Sequence, residues 1–151
     1  GVSSYQDAMN GIAPIQETLI AKIKHVPTLG ICLGMQLLAQ KGYEFQETRG
    51  LSLIEGEVMK IAVQGRIPHM GWAPVESIKK TRILKGIPPA ESFYFMHSYE
   101  LLNYTEVVAL SQYAEHRFVA AIERDNLFGV QFHPEKSRLS GLRIFKNFIS
   151  L

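Results

Sequence analysis

The sequence predicts an α/β fold, on three observations. Segments with the apolar spacing of helices stand at both ends of the chain, and the middle is rich in segments with the apolar or alternating pattern of β-strands. The chain has 151 residues, of which 46% are hydrophobic and 20% charged, which is enough for one domain with a substantial core. We therefore expect residues 1–151 to form a single domain in which helices flank a sheet.

The first predicted elements are helical. Residues 5–24 predict a helix that is interrupted near Gly11 and Pro14, because a proline inside a helix removes a hydrogen bond. Residues 27–31 are a short apolar run typical of a buried strand, and residues 34–41 predict the helix that follows it. A short junction therefore connects a strand directly to a helix in this region.

The middle of the chain predicts strands, and its end predicts a helix. Strand patterns occupy residues 57–63, 68–78, 92–101, 106–113, 118–124 and 127–132. Residues 124–127 (RDNL) are typical of a hairpin turn between the last two strands. Residues 137–151 predict an amphipathic helix, with Leu142, Phe145 and Ile149 at helical spacing.

The composition disfavours several classes of function. The formal net charge of +2 is too small to indicate nucleic acid or an anionic membrane as a partner. No apolar run approaches the roughly 18 residues that a membrane span needs, and no signal region opens the chain. A single cysteine cannot form an internal disulfide, which is typical of a reducing compartment. We expect a soluble cytoplasmic protein without a metal site, since its five histidines are scattered.

The only cysteine lies between two glycines at the predicted strand-to-helix junction, in residues 30–34 (GICLG). A nucleophile on such a sharp turn projects from the backbone, and Gly30 and Gly34 are small neighbours that let the chain pack there. The start of the helix is expected to lower the pKa of the Cys32 thiol and favour the reactive thiolate. The backbone N–H of Leu33 would then face a developing oxyanion. The alternative is that Cys32 is a small buried hydrophobic residue.

A second motif supplies the groups that a cysteine nucleophile requires. His133 follows a strongly apolar predicted strand, and Pro134 fixes the direction of the chain after it. Glu135 stands two residues after the histidine, where it can return to the imidazole if the loop bends. A nucleophile needs a base, and the base needs a group that orients it, so His133 and Glu135 suit these roles for Cys32. The alternative is a histidine at a strand end with a solvated glutamate.

Together the two motifs resemble a known family. Residues 30–38 (GICLGMQLL) and 129–137 (GVQFHPEKS) are similar to the signatures of class I, triad-type glutamine amidotransferases. Residues 67–72 (IPHMGW) and 93–99 (FYFMHSY) resemble the glutaminase subunits of imidazole glycerol phosphate synthases. The resemblance implies a flavodoxin-like sheet with flanking helices that lacks the N-terminal strands of the family.

The resemblance also implies a reaction that needs no cofactor. Cys32 would attack the side-chain amide of L-glutamine, with His133 as base and Glu135 as the group that holds the imidazole. A glutamyl thioester would form and be hydrolysed to glutamate. In the family, the ammonia passes to a (β/α)₈ cyclase subunit, with which the glutaminase forms a heterodimer, and the product serves histidine biosynthesis.

Further site residues are implied only by the resemblance. The glutamine-binding residues would be Gly34, Gln36, His97, Ser98 and Tyr99. The residues facing the cyclase would be His69, Met70, Trp72 and Tyr94. From the residues alone, Gln36 can equally be a surface helix residue, His97 a core histidine and Trp72 a core tryptophan.

Three features depart from the pattern of the family. Its oxyanion strand, Pro-Gly-Val-Gly, appears only as the first three residues of this chain, so Val2 and Ser3 would complete the oxyanion site with Leu33. Ser3 replaces a glycine whose unusual dihedral angles cost a serine more. The upstream strands of the family do not appear, so we hypothesise that the chain is a fragment. Ala73 stands after Trp72, where asparagine is common.

Three alternative functions remain open. A paralogous amidotransferase would keep the glutaminase chemistry and supply ammonia for amination of a surface-polysaccharide sugar. A stand-alone cysteine hydrolase of similar fold would work without a partner, although the segment over residues 67–72 would then have no obvious use. A non-catalytic interaction protein would result if the absent N-terminal part disabled the site.

Overall fold

The computed structural model describes residues 3–103 and 105–151. The helices are α1 Tyr5–Ile12, α2 Gln16–Ile23, α3 Leu33–Gln36 and α4 Arg138–Ile149, with 3₁₀ turns at Ala13–Ile15 and Pro134–Lys136. The strands are β1 Thr28–Ile31, β2 Lys41–Gly42, β3 Thr48–Arg49, β4 Glu57–Lys60, β5 His69–Ser77, β6 Glu91–His97, β7 Tyr99–Leu102, β8 Val107–Tyr113, β9 His116–Arg124 and β10 Leu127–Val130. Within these two ranges, no helix is both long and apolar enough to span a membrane. The predicted α/β class is confirmed.

Two sheets organise the chain. The larger has six strands in the order β1-β10-β9-β8-β5-β6, and the smaller has four in the order β3-β2-β4-β7. In the larger sheet β1 and β10 pair in parallel, whereas every other neighbouring pair is antiparallel. The predicted hairpin is confirmed, because Arg124 of β9 is opposite Leu127 of β10. The parallel pair brings the ends of β1 and β10 to the same edge of the sheet.

Two apolar clusters cover the two faces of the larger sheet. Along β10, Leu127 belongs to the cluster built with α1, α2, α3 and the smaller sheet, whereas Phe128 and Val130 belong to the cluster built with α4. This alternation is that of a strand buried on both faces. The inner strands of the sheet are therefore held from both sides, and the residues that follow them start from fixed positions.

The predicted N-terminal helix and its interruption are confirmed. The Ser4 side chain caps α1 by accepting a hydrogen bond from the Asp7 N–H at 3.1 Å. The chain then passes through the 3₁₀ turn that contains Pro14 before α2 begins at Gln16. Proline is tolerated in this position because the N–H groups at the start of a turn have no partner within it.

The helix predicted over residues 34–41 is much shorter than expected, since α3 ends at Gln36. The carbonyl of Leu38 accepts hydrogen bonds from the N–H groups of Leu53 and Ile54, at 2.9 and 3.1 Å. A carbonyl that bonds across to another segment is not available to continue a helix. The prediction was wrong here because the competing segment is far along the chain and invisible to a local pattern.

The strand predicted over residues 92–101 is divided at Ser98. The carbonyl of Ser98 accepts a hydrogen bond from the Ile61 N–H at 3.0 Å, and Tyr99 then pairs with Lys60 in the smaller sheet. Residues 97–99 therefore stand where the chain crosses from one sheet to the other. This crossing places their backbone groups beside the end of β1.

The C-terminal helix is confirmed, but the predicted apolar face is wrong. Leu142 and Ile149 are 54% and 82% exposed, whereas Gly141 and Ile144 are buried. A Cβ added at Gly141 would overlap the carbonyl of Pro134. Because this glycine lets the helix backbone lie against the preceding turn, the contact face runs through residues 141 and 144.

Candidate active site

Cys32 lies at a sharp turn between β1 and α3. Its backbone dihedral angles are φ 51° and ψ −111°, a combination that is unfavourable for a residue with a side chain. Its N–H donates to the carbonyl of Val130 at 2.8 Å, which extends the pairing of β1 with β10 by one residue. This is the strand–turn–helix geometry that presents a nucleophile above a sheet.

The two glycines around Cys32 differ in what they allow. A Cβ added to Gly30 would lie 2.7 Å from the backbone of Gly34 and Met35, whereas a Cβ on Gly34 would meet nothing within 4 Å. Gly30 is therefore the position where the absence of a side chain lets strand and helix approach each other. Gly34 is not required to be small for this packing.

The expected low pKa of the cysteine is corrected by the structure. Burial raises the pKa of the Cys32 thiol, and this effect outweighs the opposing hydrogen bonds from the Leu33 backbone and the Gln131 side chain. The helix that follows has only four residues, too few to oppose burial strongly. Burial therefore favours the thiol form of Cys32.

His133 and Glu135 lie at the same edge of the sheet as Cys32. The parallel register sets Ile31 opposite Val130, so the residues after both strands leave the sheet together. Glu135 Oε1 lies 2.7 Å from His133 Nδ1, because the 3₁₀ turn at Pro134–Lys136 brings the carboxylate back to the ring. His133 Nε2 is buried and has no hydrogen-bond partner among the described residues.

The turn that carries His133 is fixed by Ser137, for which no role was predicted. The Ser137 hydroxyl accepts a hydrogen bond from the Tyr94 N–H at 3.0 Å and donates one to the His133 carbonyl at 2.7 Å. The His133 N–H donates to the Tyr94 carbonyl at 2.8 Å. These bonds hold His133 against β6. The available signal for Ser137 in the sequence was its place as the last residue of the motif over residues 129–137.

A cavity of about 420 Å³ opens beside Cys32, within the size range of small-molecule sites. Its lining residues are Ser3, Cys32, Leu33, Gln36, Glu44, Pro68, Met70, Met96, His97, Ser98 and Tyr99. Four of the five predicted glutamine-binding residues therefore line one cavity with the cysteine, and Gly34 does not. Among the predicted oxyanion residues Leu33 and Ser3 line it, and Val2 lies outside the described residues.

Gln36 is buried rather than on the helix surface. Its Nε2 donates to the Tyr99 carbonyl and to Gln131 Oε1, both at 2.9 Å. Gln131 Nε2 in turn lies 3.5 Å from Cys32 Sγ. The side-chain amides of Gln36 and Gln131 thus connect the wall of the cavity to Cys32 Sγ. No role was predicted for Gln131, although a glutamine inside the apolar run over residues 127–132 was a signal.

His97 is held in a neutral pair with His69. His97 Nδ1 lies 2.8 Å from the Tyr99 carbonyl, which only accepts, so Nδ1 carries the proton and Nε2 accepts from His69 Nδ1 at 3.2 Å. Burial lowers the pKa of His97 to about 4. Residues 97–99 are therefore fixed by hydrogen bonds of a His97 imidazole whose uncharged form is favoured by burial.

This pair predicts a loss of stability in mild acid. Between pH 6.5 and about 4 the unfolded chain binds a proton on His97 that the folded chain does not, so the free energy of unfolding falls as pH falls. The amide of an asparagine can occupy the place of Nδ1. We therefore expect His97→Asn to reduce the fall in the free energy of unfolding over this pH range by up to about 3 kcal/mol. Urea unfolding at several pH values measures it.

The comparison for that variant is His25→Asn, which removes an exposed imidazole. If His97→Asn has the same pH dependence as the parent chain and as His25→Asn, His97 is not the group responsible. Protonation of His97, which is paired with His69, would then not be linked to folding.

The predicted partner residues divide between surface and core. Met70 and Trp72 are 58% and 44% exposed on the same face of β5, and Tyr94 lies opposite Trp72 on β6, with ring centroids 6.0 Å apart. His69 is only 3% exposed and stacks between Phe95 and Tyr113. The expectation that His69 faces a partner is therefore wrong, because alternate residues of a strand point to opposite faces.

Ala73 follows the same alternation. It is buried in the cluster beneath the sheet, on the face opposite Trp72. A residue in that position does not alter the exposed face of β5. Among the described residues, no group of three or more His, Cys, Asp or Glu side chains could hold a metal ion.

Comparison with known proteins identifies the family. The family model described as glutamine amidotransferase class-I matches residues 1–151. The imidazole glycerol phosphate synthase subunit HisH 1 of Campylobacter jejuni (strain RM1221) is 41% identical, over 100% of this chain and 78% of that protein. The HisH subunit of Methanocaldococcus jannaschii is also 41% identical, with the same two coverages.

Solved structures support the same fold. A glutamine amidotransferase from Thermotoga maritima superposes with a TM-score of 0.66 at 21% identity, over 99% of this chain and 58% of that chain. The glutaminase domain of the Trypanosoma brucei CTPS gives a TM-score of 0.59 at 21% identity, over 87% of this chain and 63% of that chain. The chain belongs to the class I glutamine amidotransferases, in the family of the HisH subunits of imidazole glycerol phosphate synthase.

Proposed function

We propose that this chain is the glutaminase subunit of an imidazole glycerol phosphate synthase and releases ammonia from L-glutamine for histidine biosynthesis. The observation that carries the proposal is the cavity that joins Cys32 with Gln36, Ser98 and Tyr99. It lies in a chain that matches HisH subunits along its whole length. Cys32 is the only cysteine of this chain and must stay reduced to act as a nucleophile. We therefore expect the protein to work in the cytoplasm.

The proposed reaction begins with proton transfer from the Cys32 thiol to His133 Nε2. The sulfur attacks the side-chain carbonyl carbon of glutamine, and the negative charge moves to the carbonyl oxygen, which the Leu33 N–H would stabilise. When the carbon–nitrogen bond breaks, the proton on His133 passes to the leaving nitrogen and ammonia departs. Water then hydrolyses the thioester to glutamate, with His133 again accepting a proton.

The role of Glu135 in this scheme is to hold the His133 imidazole. Its Oε1 lies 2.7 Å from Nδ1, and its side chain is about half exposed. The ring is therefore oriented with Nε2 free for the sulfur and the leaving group. The raised pKa of the Cys32 thiol makes this base necessary, because burial disfavours spontaneous ionisation.

The exposed face of β5 and β6 is the proposed docking surface for a (β/α)₈ cyclase subunit. Met70 and Met96 line both this face and the cavity, so the surface continues directly into the site where ammonia would form. Lys136 and Arg138 lie over the rings of Tyr94 and Trp72, which adds two cations to an aromatic patch. Such aromatic residues are typical anchors of protein interfaces.

Trp72→Ala is expected to weaken cyclase binding by about 10- to 100-fold, the range found when an aromatic anchor is removed. The reason is that Trp72 is 44% exposed and packs on Tyr94 and Arg138 rather than on the core. Isothermal titration with a purified cyclase subunit measures the change. Phe45→Ala, at a position 87% exposed on the loop between β2 and β3, is the matched control and should bind as the parent does.

The test of the function is glutamate release from glutamine. We expect little release by the chain alone and strong stimulation by a cyclase subunit with its ligand. Equal turnover without a partner would favour a stand-alone hydrolase. No turnover in either condition would contradict the proposal. Stimulation only by a sugar-amidating synthase would show that the ammonia goes to a different acceptor.

A further inference from the structure

Gln131 is a fully buried polar side chain beside the nucleophile, with 0% exposure. It follows β10 directly, and its backbone N–H donates to the Ala120 carbonyl at 2.9 Å. In the part of the chain that the structure describes, its side chain makes two hydrogen bonds, with Gln36 Nε2 at 2.9 Å and Cys32 Sγ at 3.5 Å. Burying an amide is unfavourable unless both of its ends are hydrogen-bonded, and these two contacts supply one partner for each end.

The orientation of both amides is determined by one carbonyl. The Tyr99 backbone oxygen can only accept, so the Gln36 atom at 2.9 Å from it must be the NH₂ group. The second hydrogen of that NH₂ group is directed at Gln131, whose nearest atom must then be the carbonyl oxygen. The remaining end of Gln131, an NH₂ group, therefore points at the sulfur of Cys32.

A fixed N–H donor has different effects on the two forms of the cysteine. A thiolate is a much stronger acceptor than a thiol, because hydrogen bonds to charged groups are about twice as strong as neutral ones. The Met96 carbonyl, 3.8 Å from Sγ, acts in the opposite direction, since it can accept from the thiol only. The Gln131 amide is thus the side-chain group in contact with the sulfur that favours ionisation.

We propose that Gln131 is a positioning residue of the glutaminase site, which holds the Cys32 sulfur and stabilises its thiolate through a donor whose direction Gln36 and the Tyr99 carbonyl determine. The proposal rests on Cys32 being the nucleophile of the proposed function. Other titratable groups face the same sulfur or cavity, namely Glu44, His97, Tyr99, His133 and Glu135. They remain in place when only residue 131 is changed.

The test is the pH dependence of Cys32 alkylation by iodoacetamide, which reports thiolate directly because the chain has one cysteine. It needs neither glutamine nor a partner. We expect Gln131→Met, which keeps the length of the side chain, to raise the midpoint by about one pH unit. Gln131→Glu should raise it further, since a carboxylate would face the thiolate. Gln112→Met, at an exposed position, is the control and should not move it.

A purely structural role would lower the melting temperature of Gln131→Met and leave the alkylation midpoint unchanged, and that result overturns the proposal. If Gln131→Met does not fold, Gln36→Met decides: it retains Gln131 but removes the bond that orients it. A raised midpoint supports the proposal, and an unchanged one overturns it. Parent glutaminase activity is measured separately, so failure of the proposed function is distinguished from failure at Gln131.

Discussion

Replacing Cys32 by alanine is expected to lower kcat for glutamine hydrolysis by about four to six orders of magnitude, the scale seen when a nucleophile is removed from a cooperating triad. In the proposed mechanism the sulfur is the atom that forms the thioester, and no other cysteine exists in the chain to replace it. Without it, the imidazole of His133 has no thiol proton to accept. Glutamate release at saturating glutamine, with the cyclase partner present, measures the loss.

The fold of this variant should be nearly unchanged. Among the described residues, the Cys32 side chain makes two weak hydrogen bonds, with the Met96 carbonyl at 3.8 Å and the Gln131 amide at 3.5 Å. Alanine tolerates the same backbone conformation no worse than cysteine does. Cyclase binding and the urea midpoint are the controls, and both should match the parent. Activity within about tenfold of the parent would contradict the assignment of Cys32 as nucleophile.

Gly30→Ala is expected to destabilise the chain by about 3 kcal/mol or more, and to remove activity with it. The added Cβ would lie 2.7 Å from the backbone atoms of Gly34 and Met35, which cannot turn away as a flexible side chain could. Relief requires α3 to move off β1, and Cys32 stands between these two elements. Urea unfolding gives the change in stability.

Gly34→Ala is the matched control for Gly30→Ala. The two glycines flank the same cysteine, but a Cβ at Gly34 has open space within 4 Å. An alanine in a helix is favoured over glycine by up to about 1 kcal/mol, so this variant should be as stable as the parent or more so. Equal destabilisation by the two substitutions would show that the close approach at Gly30 is not the cause.

Local patterns in the sequence predicted most elements of the fold but not the length of α3 or the division at Ser98. Both failures have the same physical origin. Backbone groups of Leu38 and Ser98 bond to residues 53–54 and 61, and these bonds compete with the local structure. The α4 face was mispredicted because Gly141 makes a contact without a side chain, which an apolar pattern does not register.

The candidate site was predictable where a motif carried its chemistry. Cys32, His133 and Glu135 were predicted together because their residue types and their places after strands match what a thiol nucleophile requires, and the structure places them at one edge of the sheet. Gln131 and Ser137 were missed because an amide and a hydroxyl have many uses, and only the folded contacts select one. His69 was misplaced because the resemblance assigned it together with Met70 and Trp72, whereas strand alternation puts it on the opposite face of β5.

The hydrogen bonds of Ser137 have a consequence for local unfolding around His133. The amides of Tyr94 and His133 are bonded into one small loop of contacts that includes the Ser137 hydroxyl. Exposing either amide to deuterated water requires the same local unfolding event, so the two should show the same protection relative to their intrinsic exchange rates. A protein that covers Tyr94 then slows exchange at His133 without touching it.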